Sequence, residues 1–415
     1  MAKDILKDKQ FYKFSVYGFL KNLRFFDPYI ILFFLEMEIN YAEIGVLFSL
    51  REIFINVLEL PTGIIADSYG RRKSMIFSFM SYIVSFVIFY FFPGFWSYVI
   101  AMIFFSLGES FRTGTHKAMI MTYLEIKDMH DQKVNYYGHT RSASQLGSAL
   151  SSLIAMAIVF INKSYKIVFL ASVIPYIIEL FLMLSYPKEL DGEIRIKEKG
   201  FLKELWFSIK ETTIGFFKLF KNYETVKTLL TSSIFSGLYK GVKDYIQPMI
   251  KYYALTIPIL SGISRSQRTT VIIGIIYFFI YLMTSYASRK SGRFAEKFDN
   301  IEKGVNLTYL IGVIMLLLSG LLLMLKLYLV SIIIFISIYL LENLRKPLNV
   351  GLISNRIKTK MLATGLSGES QLKTIFTALF SFLMGLFAQF LGLDFAIIFV
   401  ALITLLIYPF IKLKF

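Results

Sequence analysis

Gly63-Ile64-Ile65-Ala66-Asp67-Ser68-Tyr69-Gly70-Arg71-Arg72-Lys73 is the stretch that decides how this chain folds. One apolar run ends inside it, charges crowd its second half, and another apolar run begins directly after it. A helix that crosses a bilayer needs ~20 mostly apolar residues. Runs of that kind flank the stretch at 42–66 and 74–92. Working outward, others lie at 12–35, 96–123, 140–161 and 166–186, and, after a gap, at 224–252, 269–288, 304–325, 328–353, 373–391 and 394–411. The reading is an all-α polytopic membrane protein of twelve transmembrane helices, in two pseudo-symmetric six-helix bundles.

Composition agrees. Of 415 residues 56% are hydrophobic and only 18% charged, against ~25% charged in soluble proteins. That excludes a disordered chain and argues against an ordinary soluble enzyme. The net charge of +17 raises the question of nucleic acid, but the apolar excess assigns it to one side of a membrane, so no nucleic-acid partner is expected. Cysteine is absent and there are three His, without metal-ligand spacing, so neither a metal site nor a cofactor is expected.

Lys and Arg gather in the tails and loops on the N-terminal side, whereas the opposite loops carry Lys163, Lys166, Arg265, Arg268 and Lys326. The positive-inside rule then puts both termini and the central linker in the cytoplasm, in a multi-pass protein of the cytoplasmic membrane. The first ten residues lack the apolar core and cleavage site of a signal peptide and read as a retained tail. The division is 1–186 for the N-terminal bundle, 187–222 for the linker and 223–415 for the C-terminal bundle. Within the linker, Phe201–Phe220 is amphipathic: a solvated helix or one lying on the inner leaflet.

The halves echo each other. Gly18-x-x-Lys21-x-x-Arg24 recurs as Gly237-x-x-Lys240-x-x-Lys243, Glu109-x-x-Arg112 as Glu342-x-x-Arg345, and Ser144-Gln145-Leu146 as Ser370-Gln371-Leu372. Three matches in the same order support an internal repeat.

The opening stretch resembles the signature loop of the major facilitator superfamily (MFS), in its usual place between spans 2 and 3. Glu59-Leu-Pro61-Thr-Gly63 and Arg345-Lys-Pro347 are further echoes. Gly63 lets another helix approach, Asp67 sits at a helix end where it can pair with Arg71, and Gly70 permits a tight turn. The resemblance implies a conformational latch on the cytoplasmic side, made of Gly63, Asp67, Gly70, Arg71 and Arg72, in a secondary transporter working by alternating access. Two features depart from the family pattern. Gly114 follows Arg112 by two residues where the family's Gly follows by four, and span 5 lacks the Gly-Pro signature of many drug/proton antiporters. The loop after span 8 (Arg289, Lys290, Gly292, Arg293) reads as a degenerate second copy.

Ionisable residues inside spans are costly and mark function. The i, i+3, i+6 spacing of Lys21, Arg24 and Asp27 places them along one helix face, and Pro28 after them can loosen the helix. Lys240, Lys243, Asp244 and Pro248 mirror them in span 7. The resemblance places both spans beside a central cavity. Lys21, Arg24, Lys240 and Lys243 are therefore the candidate contacts of a small or amphipathic organic anion. The other reading pairs Arg24 with Asp27 and Lys243 or Lys240 with Asp244. Asp27, Glu109, Asp244 and Glu342 are candidates for coupling to a proton or another ion. Glu109–Arg112 and Glu342–Arg345 also read as structural i, i+3 pairs. Glu52, Glu59 and Glu179 complete the membrane carboxylates, and His116 reads as a structural histidine. Expected partners are a small-molecule substrate, a coupling ion and membrane lipids; the chain is read as a monomer. Export of drugs or lipophilic cations and translocation of lysolipid are the alternative transport readings, and a non-transporting sensor is a third class. No nucleophile–base or metal constellation suggests an enzyme.

Overall fold

The computed structural model describes residues 8–192, 222–258, 262–357 and 362–414, with single positions between 203 and 214. Most of the amphipathic stretch 201–220 lies outside the described residues. The helices are α1 Lys9–Leu20, α2 Ile30–Glu36, α3 Tyr41–Tyr69, α4 Arg71–Phe91, α5 Phe95–Arg112, α6 Thr115–Ile126, α7 Lys133–Asn162 and α8 Ile167–Leu184. They continue with α9 Tyr223–Val242, α10 Ile246–Thr256, α11 Arg265–Ala295, α12 Ile301–Met324, α13 Tyr328–Arg356, α14 Leu362–Phe390 and α15 Leu393–Ile411.

Among the described residues, eight helices are long and apolar enough to cross a membrane by length and composition. The other four expected spans are helical, and each departs from a plain apolar helix where it carries charge. Span 1 is α1 and α2 with an irregular connection, span 4 is α5 and α6, and span 7 is α9 and α10. Span 2 is the unbroken α3, with Arg51, Glu52, Glu59 and Pro61 inside it.

The break in span 1 corrects the expectation of one charged face. Pro28 has no N–H for the Arg24 carbonyl, which accepts instead from Asp27 N in a 3.1 Å turn bond. The Asn22 amide donates to the Gly18 carbonyl at 2.7 Å, satisfying a carbonyl that the helix end orphans. Lys21, Arg24 and Asp27 thus sit on a turn and a short 3-10 segment, Asp27–Tyr29, and the i, i+3, i+6 argument lapses. Span 7 breaks more gently, through a 3-10 turn at Lys243–Tyr245. In span 4 the break falls at Thr113 and Gly114. Gly114 has φ +79°, which a Cβ-bearing residue rarely tolerates.

The described residues fall into two compact units. One draws on Met1–Tyr29, Phe54–Phe207 and Gly274–Leu282, the other on Ile30–Ile53, Ser208–Ile273 and Met283–Phe415. In the first, α1 packs on α7, and α4 packs on both α5 and α8. In the second, α9 packs on α14, and α12 on both α13 and α15. Numbered as spans these are 1·5, 3·4 and 3·6 against 7·11, 9·10 and 9·12, so the sequence repeat is a repeat of packing. Much of the first unit's interior is aromatic: Phe26 stacks on Phe169 at 5.4 Å, and Phe89 packs on the same ring at 4.6 Å.

Gly18 and Gly237 show what the repeat preserves. A Cβ on Gly18 would strike the Thr140 carbonyl of α7, and one on Gly237 the Phe376 Cβ of α14. Small residues let helix backbones approach where lipid supplies no hydrophobic drive between helices. Gly63 contrasts with both: a Cβ there meets no described atom within 4 Å, so no close helix approach is seen at this position among the described residues. Gly18→Val and Gly237→Val should each destabilise the protein by about 1–3 kcal/mol, while Gly63→Ala should leave the thermal midpoint of the detergent-solubilised protein nearly unchanged. Equal midpoints for all three would contradict this account.

Candidate functional site

The densest charge cluster of the first unit centres on Glu109, near the end of α5. One carboxylate oxygen accepts from Arg24 Nη2 at 2.8 Å and from the Tyr82 hydroxyl at 2.5 Å; the other accepts from Arg112. Arg112 Nε also donates to the Tyr82 hydroxyl at 3.3 Å. Arg24 is therefore engaged by a carboxylate from another span, with Asp27 a further electrostatic neighbour. Charge-assisted hydrogen bonds of this kind are the strong ones, and three donors on one carboxylate leave Glu109 well satisfied.

Beside this cluster lies a cavity of about 400 Å3, within the size range of small-molecule sites. Its charged lining is Lys21, Arg112, Lys117 and Arg141, with no carboxylate among the lining residues. Tyr17, His116 and Tyr137 add aromatic surface; Thr140, Ser144 and Asn22 add polar groups. Lys21 Nζ lies 5.3 Å from the Tyr17 ring centre and Lys117 Nζ 5.5 Å from that of Tyr137. The Gly114 break turns the start of α6 onto the cavity through Thr113, Gly114, His116 and Lys117. No side chain caps that helix start, so its first N–H groups and the positive end of its dipole favour an anion. Lys117 and Arg141 were not singled out as site residues in the sequence; the signal was that they bracket the break in span 4 and the start of span 5.

His116 is buried, stacks on Tyr17 at 3.5 Å, and shares a 3.1 Å hydrogen bond between Nε2 and the Tyr186 hydroxyl. That is the satisfied structural histidine the sequence suggested, placed on the cavity wall.

In the second unit Lys243 Nζ pairs with Asp244 at 3.0 Å and Lys240 is exposed. The Glu342 carboxylate accepts from Ser236 at 2.9 Å. Arg345 is fully buried and donates to Thr308 at 3.0 Å, with its guanidinium 4.3 Å from the Phe235 ring centre. Glu342 and Arg345 remain electrostatic neighbours, while the hydrogen bonds of each go to these other partners. Arg51 and Glu52 bond each other at 3.0 Å.

The Gly63–Lys73 stretch is anchored within its own unit. Asp67 and Arg71 form the expected pair, loosely at 3.6 Å, with Asp67 65% exposed. Arg71 also donates to Thr122 at 2.8 Å, and Arg72 to the Tyr186 carbonyl at 2.9 Å. Gly70 takes φ +103°, as its turn requires. Asp191, in the 3-10 turn Lys188–Asp191, accepts the Arg72 backbone N–H at 2.7 Å and so caps the start of α4. Sequence reasoning missed Asp191 because it falls beyond Pro187, where the linker begins. The degenerate second copy at Arg289–Arg293 is helical, within α11. Asp191→Ala should cost about 1 kcal/mol of stability, read as a lower thermal midpoint, and Asp191→Asn should recover most of it. No change in Asp191→Ala would remove the capping role.

The family model of the Major Facilitator Superfamily matches residues 19–367. An uncharacterised MFS-type transporter of Bacillus subtilis (strain 168), YxaM, is 30% identical over 105 residues, covering 25% of this chain and 26% of the relative. This chain thus spans about a quarter of that relative's length. Among solved structures, that of the nucleoside transporter NupG superposes with a TM-score of 0.75 at 11% identity, over 98% of this chain and 100% of the other. A POT family transporter in complex with 5-aminolevulinic acid gives 0.74 at 13% identity, over 98% and 97%. At these identities the likeness is one of fold.

Proposed function

The chain belongs to the Major Facilitator Superfamily, and from that premise we propose that it is a secondary transporter of a small or amphipathic organic anion. The observation that carries the anion is the cavity of the first unit, with four cations, an uncapped helix start and no lining carboxylate. Lys21 and Lys117 present ammonium groups, while Arg112 and Arg141 present guanidinium forks suited to sulfonate, phosphate or carboxylate. Tyr17, His116 and Tyr137 suit an aromatic or amphipathic body. The same four cations disfavour a lipophilic cation, which weighs against the drug-export reading.

In this proposal Arg24 holds Glu109 and serves the anion by keeping Arg112 in place. Lys240 and Lys243 are the candidate anion contacts of the second unit, and Asp27, Asp244 and Glu342 stay coupling candidates. The protein works as a monomer in the cytoplasmic membrane, with both termini inside. The Asp67–Arg71 pair serves as a latch in alternating access.

A probe of fixed charge tests the reading. Naphthalene-1,5-disulfonate should raise the thermal midpoint of the purified protein, and Lys117→Gln/Arg141→Gln should weaken its binding at least about tenfold, as expected for two lost charged contacts. Tetraphenylphosphonium should have no effect. Stabilisation by the cation with none by the disulfonate would overturn the reading. For the latch, Asp67→Asn should increase labelling of a single cysteine placed at Ser144 by a membrane-impermeant reagent from the cytoplasmic side; unchanged labelling would remove that role.

A further inference from the structure

We propose that Glu179 is a proton-binding site that links anion binding to the proton gradient by way of Lys21; this rests on the anion reading of the cavity. Glu179 lies on α8 and is 0% exposed. No side-chain donor reaches either carboxylate oxygen, and the backbone N–H of Lys21 is the one donor that approaches the group among the described residues. Four other membrane carboxylates each take at least one side-chain donor: Glu109 takes three, Glu342 takes Ser236 on one oxygen, Glu52 takes Arg51 and Asp244 takes Lys243.

A carboxyl group in such a place either carries a proton or leans on a nearby cation. The electrostatic neighbours of Glu179 are Lys21, which lines the cavity, and then Arg112. Tyr17 on α1 and Tyr186 beyond the end of α8 face it as well. Of the other elements packed on α8, α4 brings Tyr82, whose ring lies 5.1 Å from that of Tyr176, and α7 brings Arg141 on the cavity wall.

The two protonation states present different cavities to an anion. Ionised Glu179 offsets the charge of Lys21 and weakens the pull on an anion. When Glu179 takes a proton from the water phase, that offset disappears and the Lys21 ammonium acts on the anion alone. Proton and anion therefore bind with positive cooperativity, and linkage makes the effect reciprocal. An anion arriving with one proton on Glu179 gives symport.

The test uses the full chain in detergent, with naphthalene-1,5-disulfonate because its charge is constant with pH. In the wild type the affinity should fall as the pH rises from about 5 to about 9, by up to about tenfold per pH unit for one linked proton. Binding should take up protons, read from calorimetry in buffers of different ionisation enthalpy. Glu179→Gln should show a clearly smaller pH dependence and take up fewer protons on binding than the wild type. Lys21→Gln should bind weakly with no pH dependence. Wild-type pH dependence retained in Glu179→Gln overturns the proposal.

Infrared difference spectra across the same pH range give a second readout that needs no ligand. A carboxyl C=O band present in the wild type and missing from Glu179→Gln supports the proton site. Its absence from the wild type overturns the proposal, whether or not the disulfonate binds. The band together with no disulfonate binding at any pH supports the proton site and overturns the anion reading.

Discussion

Glu109 binds three spans of the first unit to one another. Arg24 comes to it from the break in span 1, Tyr82 from α4, and Arg112 from one turn further along its own helix. Removing a carboxylate that two guanidiniums share would leave both half-buried without that counter-charge, an arrangement costlier than the loss of one hydrogen bond. The rest of the site follows from this contact. Because Arg24 turns to Glu109, Lys21 is the cation of span 1 that lines the cavity. Directly after Arg112 the chain breaks at Thr113 and Gly114, and the break turns the start of α6 to the same cavity.

The second unit reaches the same packing with a different set of charges. Gly18 and Gly237 both let a first helix lie close against a fifth. The Glu-x-x-Arg matches keep their spacing and part in their chemistry. Glu109 gathers cations, while Glu342 takes a serine hydroxyl and Arg345 settles on Thr308 and the Phe235 ring. The repeat is thus one of helix contacts, and the polar groups on it have specialised.

Much of the fold could be read from residues alone. The apolar runs, the repeat and the Asp67-to-Arg71 stretch point to the architecture because hydropathy and helix length are local properties. The site was harder. Lys21 stood out as a charge in an apolar run. Arg24 stood out equally, yet its partner lies 85 residues away, and spacing within one segment favoured Asp27. Lys117, Arg141 and Asp191 sit at the edges of apolar runs, where charges are ordinary, and only the folding of those edges against one another distinguishes them. The assumed continuity of span 1 failed for a local reason, since Pro28 and Asn22 both act on its backbone.

The charges of spans 1 and 2 also bear on how the chain enters a bilayer. Spans 1 and 2 precede α4, and among the described residues neither offers a long, uncharged apolar helix, whereas α4 does. Apolar segments partition readily on their own, whereas a charge near mid-helix costs about 2.5–3.5 kcal/mol on the insertion scale. Spans 1 and 2 carry that cost, and α4 does not carry it at mid-helix. Arg71, Arg72 and Lys73 stand at the head of α4, where the positive-inside rule gives basic residues their orienting effect. By hydropathy and charge together, α4 with its basic head is thus the strongest insertion signal of spans 1 to 3.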